Sequence, residues 1–397
     1  MRTCIARHVL GTDRHLLQGE SGQFSWVSHL PDDAWGYGFS QVCLRLDELA
    51  HAMGTQLTWQ IPEEHQQAMR ECLGPDALLT GIRWDQVLPK ALFKKLLSEL
   101  LEEARSLQEN SVEWKYLPVF RRTQKALCSL QPIQVDAVRL AAHEQSAQHG
   151  RKEELRSFKG GGQVCYSRKT TTGRLTVEAG PRVLTVDKKY RDVVQSRHGK
   201  AGRIVQLDYV SLEPRTILGL TRSATPNDVY SLFDERVPDL PRPVRKVATM
   251  TVLYGGSLGR LSQVIGTEHD PRRVQAEIRQ IFGLTALEKA LAEEYQVAKL
   301  LSNFYGRVMH LNRGDPGYLV AAYIQSTAVD VALQGFAQIC DATQDIDGID
   351  PVAVVHDAIW LDVHRDCVKQ VKQLQALGSH IPDFEINFPL GVELVHN

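Results

Sequence analysis

The chain of 397 residues lacks a long hydrophobic run: nothing approaches the roughly 18 apolar residues that a membrane span requires. Its first twenty residues, MRTCIARHVLGTDRHLLQGE, hold no apolar stretch long enough for a signal peptide. Both absences predict a cytoplasmic protein with no membrane partner. Cysteine is sparse, and Cys4, Cys43, Cys72, Cys128, Cys165, Cys340 and Cys367 are odd in number and form no CxxC pair. That pattern points to reduced thiols and away from a zinc ribbon or a disulfide framework. There is no GxGxxG or Walker-type phosphate loop, no internal repeat and no low-complexity tract. An excess of one charge is missing too, since the net charge is −1 at pH 7. A uniform nucleic-acid coat is therefore excluded.

What is present is an ordinary globular composition, 43% hydrophobic and 23% charged, enough for two or three packed lobes. The charge is unevenly spread. Between 151 and 206 lie fourteen basic residues against five acidic ones, a local excess of +9 that suits either a solvated face or a nucleic-acid backbone.

Periodicity predicts mostly helix up to about 130, clearest at 89–107, where Leu92, Leu96, Leu97, Leu100, Leu101 and Ala104 recur at helical spacing. The glycine triplet in SFKGGGQVCYSRKTTTGRL (157–175) predicts a flexible joint leading into a strand. GRIVQLDYVSLEPRTILGL (202–220) predicts a buried strand ending at Asp208, then a helix. Helices follow at 242–254, broken at Gly255 and Gly256, at 271–301 with an interruption near Gly283, and at 317–340. In the last of these Gln325 and Asp330 are polar groups in an apolar helix and need partners. VAVVHDAIWLDV (352–363) predicts two buried strands joined by a tight turn at His356-Asp357. A helix and the closing strand FEINFPLGVELV complete an α+β pattern with no βαβ rhythm.

Asp208 and Asp357 thus sit at the ends of core strands some 150 positions apart. Either one alone could be a turn cap, but a pair of partly buried acids is stabilised by a cation. Magnesium takes one or two carboxylates together with water and phosphate oxygens, and two such ions about 3.5–4 Å apart serve phosphoryl transfer. RPVRKVATMTVLYGG adds Arg242, Lys246, Met250 and Tyr254 at intervals of four. One helix face thereby offers two cations, an apolar surface and a ring, a match for a nucleotide triphosphate.

These stretches resemble the motifs of family A DNA polymerases, the DNA polymerase I-like group. LDYVSLEPR is similar to motif A, RPVRKVATMTVLYGG to motif B and VVHDAIWLDV to motif C, in the family's order, with the likeness running from about 131 to 397. The resemblance implies an α+β right-hand polymerase with an antiparallel palm at 131–224 and 301–397, helical fingers at 225–300 and a reduced thumb within 137–165. Residues 1–130 remain as a helical region that substitutes for the thumb or binds DNA. By the same resemblance Asp208, Asp357 and the backbone of Tyr209 bind two magnesium ions, with manganese as a substitute. Arg242 and Lys246 hold the triphosphate of a dNTP, Lys246 protonates the departing pyrophosphate, and Met250 and Tyr254 pack near the sugar and base. Glu213 matches the gate that excludes a 2′ hydroxyl. Arg174, Gln325, His356, Lys188 and Lys189 face primer-template DNA.

The chain departs from the family at several points. Ala358 follows His-Asp where the family has glutamate, which predicts weakened or retuned metal binding. Met250 replaces an aromatic ring, and no acidic exonuclease pattern is visible in the first 130 residues, so proofreading is not expected. A small form of this kind suits replication or repair in a phage or mobile element. The alternatives are a single-subunit RNA polymerase or primase-like enzyme, and a polymerase-like subunit that only binds DNA.

Overall fold

A computed structural model describes residues 2–31, 33–39, 44–74, 79, 82–221 and 225–395. Cys43 lies outside the described residues; the other six cysteines are free thiols. The chain divides into two compact units, 1–128 and 129–397. No described helix is long and apolar enough to cross a membrane.

The first unit is mixed rather than helical throughout. Its sheet has Thr3–Ile5 at its heart, antiparallel to His15–Gln18 and parallel to Trp35–Tyr37, with Phe24–Val27 on the far edge. The expected amphipathic helix is present as Lys90–Ser111, and its Leu100 and Leu101 pack with Ile5, Leu10 and Leu16. Four short strands escape a search for helical periodicity because each contributes only three or four residues.

The second unit is built on a four-stranded antiparallel sheet in the order Ile349–Val355, Ala358–His364, Gly202–Tyr209, Leu390–Leu394. The closing strand is shorter than FEINFPLGVELV suggested. Behind the sheet runs the helix Pro316–Thr343, started by Asp315, whose side chain accepts the Tyr318 N–H, and by Pro316 in the first turn. It is apolar nearly all round because it is buried nearly all round. The helices Leu212–Thr221, Arg242–Leu253, Leu258–Ile265, Pro271–Ile281 and Leu284–Ala298 enclose a separate core that includes Ile217, Phe233, Val252, Ile278 and Phe282.

One expectation needs correction. The glycine triplet is no joint between units: Gly162 and Ile133 exchange backbone hydrogen bonds at 2.9 and 3.1 Å, inside the second unit. Gly161 adopts φ +65°, and a Cβ there would lie 2.3 Å from the Ile133 carbonyl, so close approach rather than flexibility requires the glycine. Arg174 lies on the loop that precedes Thr176–Ala179.

Asp330, one of the two polar groups the long helix had to satisfy, is fully buried against Arg168 and accepts from Asn303 Nδ2 at 2.7 Å. Arg307 closes the group by donating to the Arg168 carbonyl at 2.6 Å. The sheet is held to the helices by Tyr209, whose phenol enters the core beside Phe336 and donates to the Gly378 carbonyl at 2.7 Å. It passes Gly335, where a Cβ would stand 1.8 Å from the Tyr209 hydroxyl. Gly335→Ala should therefore destabilise the protein by about 1–3 kcal/mol through overpacking. Urea denaturation measures the loss, and an unchanged midpoint would show that the phenol is free to move aside.

Candidate active site

Strand pairing brings the two aspartates together. Asp208 is the penultimate residue of Gly202–Tyr209, and its direct neighbours across the sheet are Ala358 on one side and Gly391 on the other. Asp357 occupies the two-residue turn, and its carbonyl accepts the Tyr209 N–H at 3.1 Å. Such a tight hairpin needs a residue at positive φ, and His356 supplies it at +58°. For a non-glycine residue that conformation costs about 1–2 kcal/mol. The cost falls on the residue that lifts Asp357 to the end of the sheet.

Both carboxylates are half-buried. Burial and the charge of Asp357 push the Asp208 carboxyl up to about 6, against the opposing hydrogen bond from Gln206. Burial and the nearby Glu213 raise Asp357 as well. Two neighbouring acids that resist ionising form a donor set suited to a divalent cation, whose charge would reverse both shifts. Among the described residues no group of three or more His, Cys, Asp or Glu side chains is arranged to hold a metal.

Beside them, a cleft of about 690 Å³ is lined by Arg174, Glu213, Gln325, His356 and Asp357, with Leu212, Ala328 and Val329 among its apolar walls. Glu213 accepts the Tyr254 hydroxyl at 2.9 Å, and Arg174 lies 3.6 Å from Glu213 and 3.4 Å from the Tyr254 oxygen. Burial, then Glu213, pushes the Tyr254 phenol up to about 12, so it stays a neutral donor. With its amide oriented to suit its neighbours, Gln325 donates to Thr172 at 2.8 Å and accepts from Arg174 at 3.0 Å. This supplies the partner that a glutamine in an apolar helix needs.

Tyr254 caps the helix Arg242–Leu253, and Met250 is half-buried against the helical core. Arg242 and Lys246 are exposed on that helix. Arg242 is paired with Asp228 and lies 5.4 Å from the Tyr230 ring centre. Lys188 is largely exposed 3.8 Å from Glu393, and Lys189 lies over the Tyr190 ring at 4.7 Å. The side chain of Tyr209 points into the core, so only its backbone belongs to the site.

Sequence reasoning missed Asp228, Thr172 and, next to Asp208, Gln206 and Trp360. Gln206 left one signal: an amide two residues before Asp208 in a strand that is otherwise apolar.

No sequence-family model matches the chain, and no curated protein does. Among solved structures, it is similar to the POL domain of Pol1 from M. smegmatis in complex with DNA primer-template and dNTP. The two share 13% identity with a TM-score of 0.67, over 99% of this chain and 94% of that one. At that identity the likeness establishes the fold, and the chain has the fold of that POL domain.

Proposed function

We propose that the protein is a DNA-directed DNA polymerase that extends a primer 3′ end with deoxynucleotides opposite a template. The observation that carries this reading is the convergence of Asp208 and Asp357 beside a cleft that also gathers Glu213, Arg174 and Gln325. The shared fold supports it, because the neighbouring POL domain was captured with primer-template and dNTP.

In this reading the antiparallel sheet is the palm, the helices between 225 and 300 are the fingers, and the thumb is reduced, with the first unit substituting for it or binding DNA. Asp208, Asp357 and the Tyr209 carbonyl would hold two magnesium ions, and water and the triphosphate would complete the coordination. When bound, the ions supply activation of the 3′ hydroxyl and charge stabilisation at the α-phosphate and the departing pyrophosphate. The protein's own groups orient the reactants. Arg242 and Lys246 grip the triphosphate, which displaces Asp228 from Arg242, and Lys246 delivers a proton to the leaving group. Glu213, tied by the Tyr254 hydroxyl and flanked by Arg174, is held in place where a 2′ hydroxyl would have to fit. That fixed carboxylate favours deoxynucleotides and weighs against the RNA polymerase alternative. Arg174 meets the primer end, Gln325 the template side, His356 the DNA beside Asp357, and Lys188 and Lys189 the phosphate backbone.

Primer extension with magnesium and the four dNTPs tests the reading, and Asp208→Asn should lower the rate by about a hundredfold or more, since a direct ligand matters at least as much as its outer partners. Absence of extension by the unaltered chain would favour the DNA-binding subunit instead. Glu213→Ala should raise ribonucleotide use relative to deoxynucleotide use by about tenfold or more. Equal discrimination before and after the change would remove Glu213 from the sugar contact. Primer-template affinity should fall steeply with salt, and Lys188→Ala or Lys189→Ala should each reduce the slope of log K against log salt by about 1. Fluorescence anisotropy at several salt concentrations reads it, and unaltered slopes would place both lysines off the DNA.

A further inference from the structure

Alternate residues of a strand share a face, so Gln206 and Asp208 project from the same side of the sheet. Across from them stand Trp360 and Ala358, and on the other flank Glu393 and Gly391. The end of the sheet therefore carries Asp208 between two residues with almost no side chain. The row behind it carries Gln206 between an indole and a carboxylate.

That second row is tightly specified. Trp360 is fully buried, and its Nε1–H, which can only donate, finds the Gln206 Oε1 at 3.0 Å. The bond settles which way the amide faces: oxygen to the indole, nitrogen to Asp208. Gln206 Nε2 then donates to Asp208 Oδ2 at 3.2 Å. Gln206 is only 6% exposed, so few other partners compete for it. The Arg191 guanidinium lies 5.3 Å from the Trp360 ring centre and adds weight to the same corner.

A carboxylate with one oxygen tied keeps its other oxygen aimed in one direction. This matters most where few protein ligands share the work, and Ala358 leaves no carboxylate directly across from Asp208 on that side of the strand. Resting on the polymerase reading above, we propose that Gln206, locked by Trp360, is a positioning residue that aims Asp208 at the divalent cation and so offsets the missing third carboxylate. Partners one step behind a ligand govern affinity through orientation, and their loss typically weakens metal binding about 10–100-fold.

The test is manganese binding to the full chain without DNA, read from the electron paramagnetic resonance signal of the free ion, beside primer extension titrated with magnesium. Gln206→Leu should weaken manganese binding about tenfold and raise the magnesium needed for half-maximal extension to a similar degree, leaving the KM for dNTP and metal-free DNA affinity within about twofold. Trp360→Phe, which keeps a ring but removes the N–H, should shift both readouts in the same direction by less. A Gln206→Leu chain that unfolds cooperatively yet binds manganese like the unaltered protein would overturn the proposal. If that chain does not fold, unchanged manganese affinity in Trp360→Phe overturns it instead. Asp208→Asn separates the two levels: if it too leaves manganese binding intact, the metal-site reading fails. If Asp208→Asn abolishes binding while Gln206→Leu does not, only the role of Gln206 fails.

Discussion

The backbone hydrogen bond from Tyr209 N–H to the Asp357 carbonyl, 3.1 Å long, governs the geometry of this site. It continues the ladder in which Ala358 pairs with Asp208, and so it fixes two acids from distant parts of the chain at one end of one sheet. Holding them there opposes their mutual repulsion and their burial, both of which favour the uncharged form. The opposing free energy comes from the sheet behind them. Leu207, Ile359, Trp360 and Leu361 are fully buried, and each buried aliphatic side chain contributes about 1.5–3 kcal/mol. The passage of Tyr209 between Gly335 and Gly378 adds a steric lock, because the strand cannot rotate without withdrawing its phenol from the helices.

A second support acts on the cleft from behind. Arg174 is a half-exposed side chain on a turn, a poor candidate for precise placement by itself. The turn is anchored through Arg168 on Asp330 and through Arg307, which bonds the Arg168 carbonyl and approaches Gly173 so closely that a Cβ there would lie 2.6 Å from its Nε. Buried ions of this kind are stabilising only when their hydrogen bonds are complete, and removing one partner of such a pair costs about 3–5 kcal/mol. In return the turn gains a fixed position, from which Arg174 reaches Glu213, Tyr254 and Gln325 together. Glu213, Tyr254 and Gln325 are thereby linked through Arg174.

Much of this was legible along the chain. Alternation located the strand ending at Asp208 and the hairpin carrying Asp357, and the lone polar residues Gln325 and Asp330 announced partners that the structure supplies. The failures share a cause. GGG reads the same whether it is a flexible linker or a turn pressed against another strand, and only Ile133, nearly thirty residues earlier, distinguishes them. Arg242 stood out by its spacing from Lys246, but Asp228, with which it is paired, is an ordinary loop acid. Gln206 and Trp360 are 154 positions apart, and nothing in either segment says that they bond.

Ala358 follows from the same balance of charge and orientation. A glutamate there would stand directly across from Asp208, adding a further negative charge beside a carboxyl that burial and Asp357 already push up to about 6. With a cation bound, the extra acid would add attraction; without one, it would add repulsion between half-buried carboxylates. Ala358 and Gly391 remove that burden and leave space around Asp208. The orientation that a third ligand would have imposed must then come from elsewhere, and the neutral Trp360–Gln206 pair provides it without adding charge. In the proposed metal site, two carboxylates suffice when one of them cannot turn away.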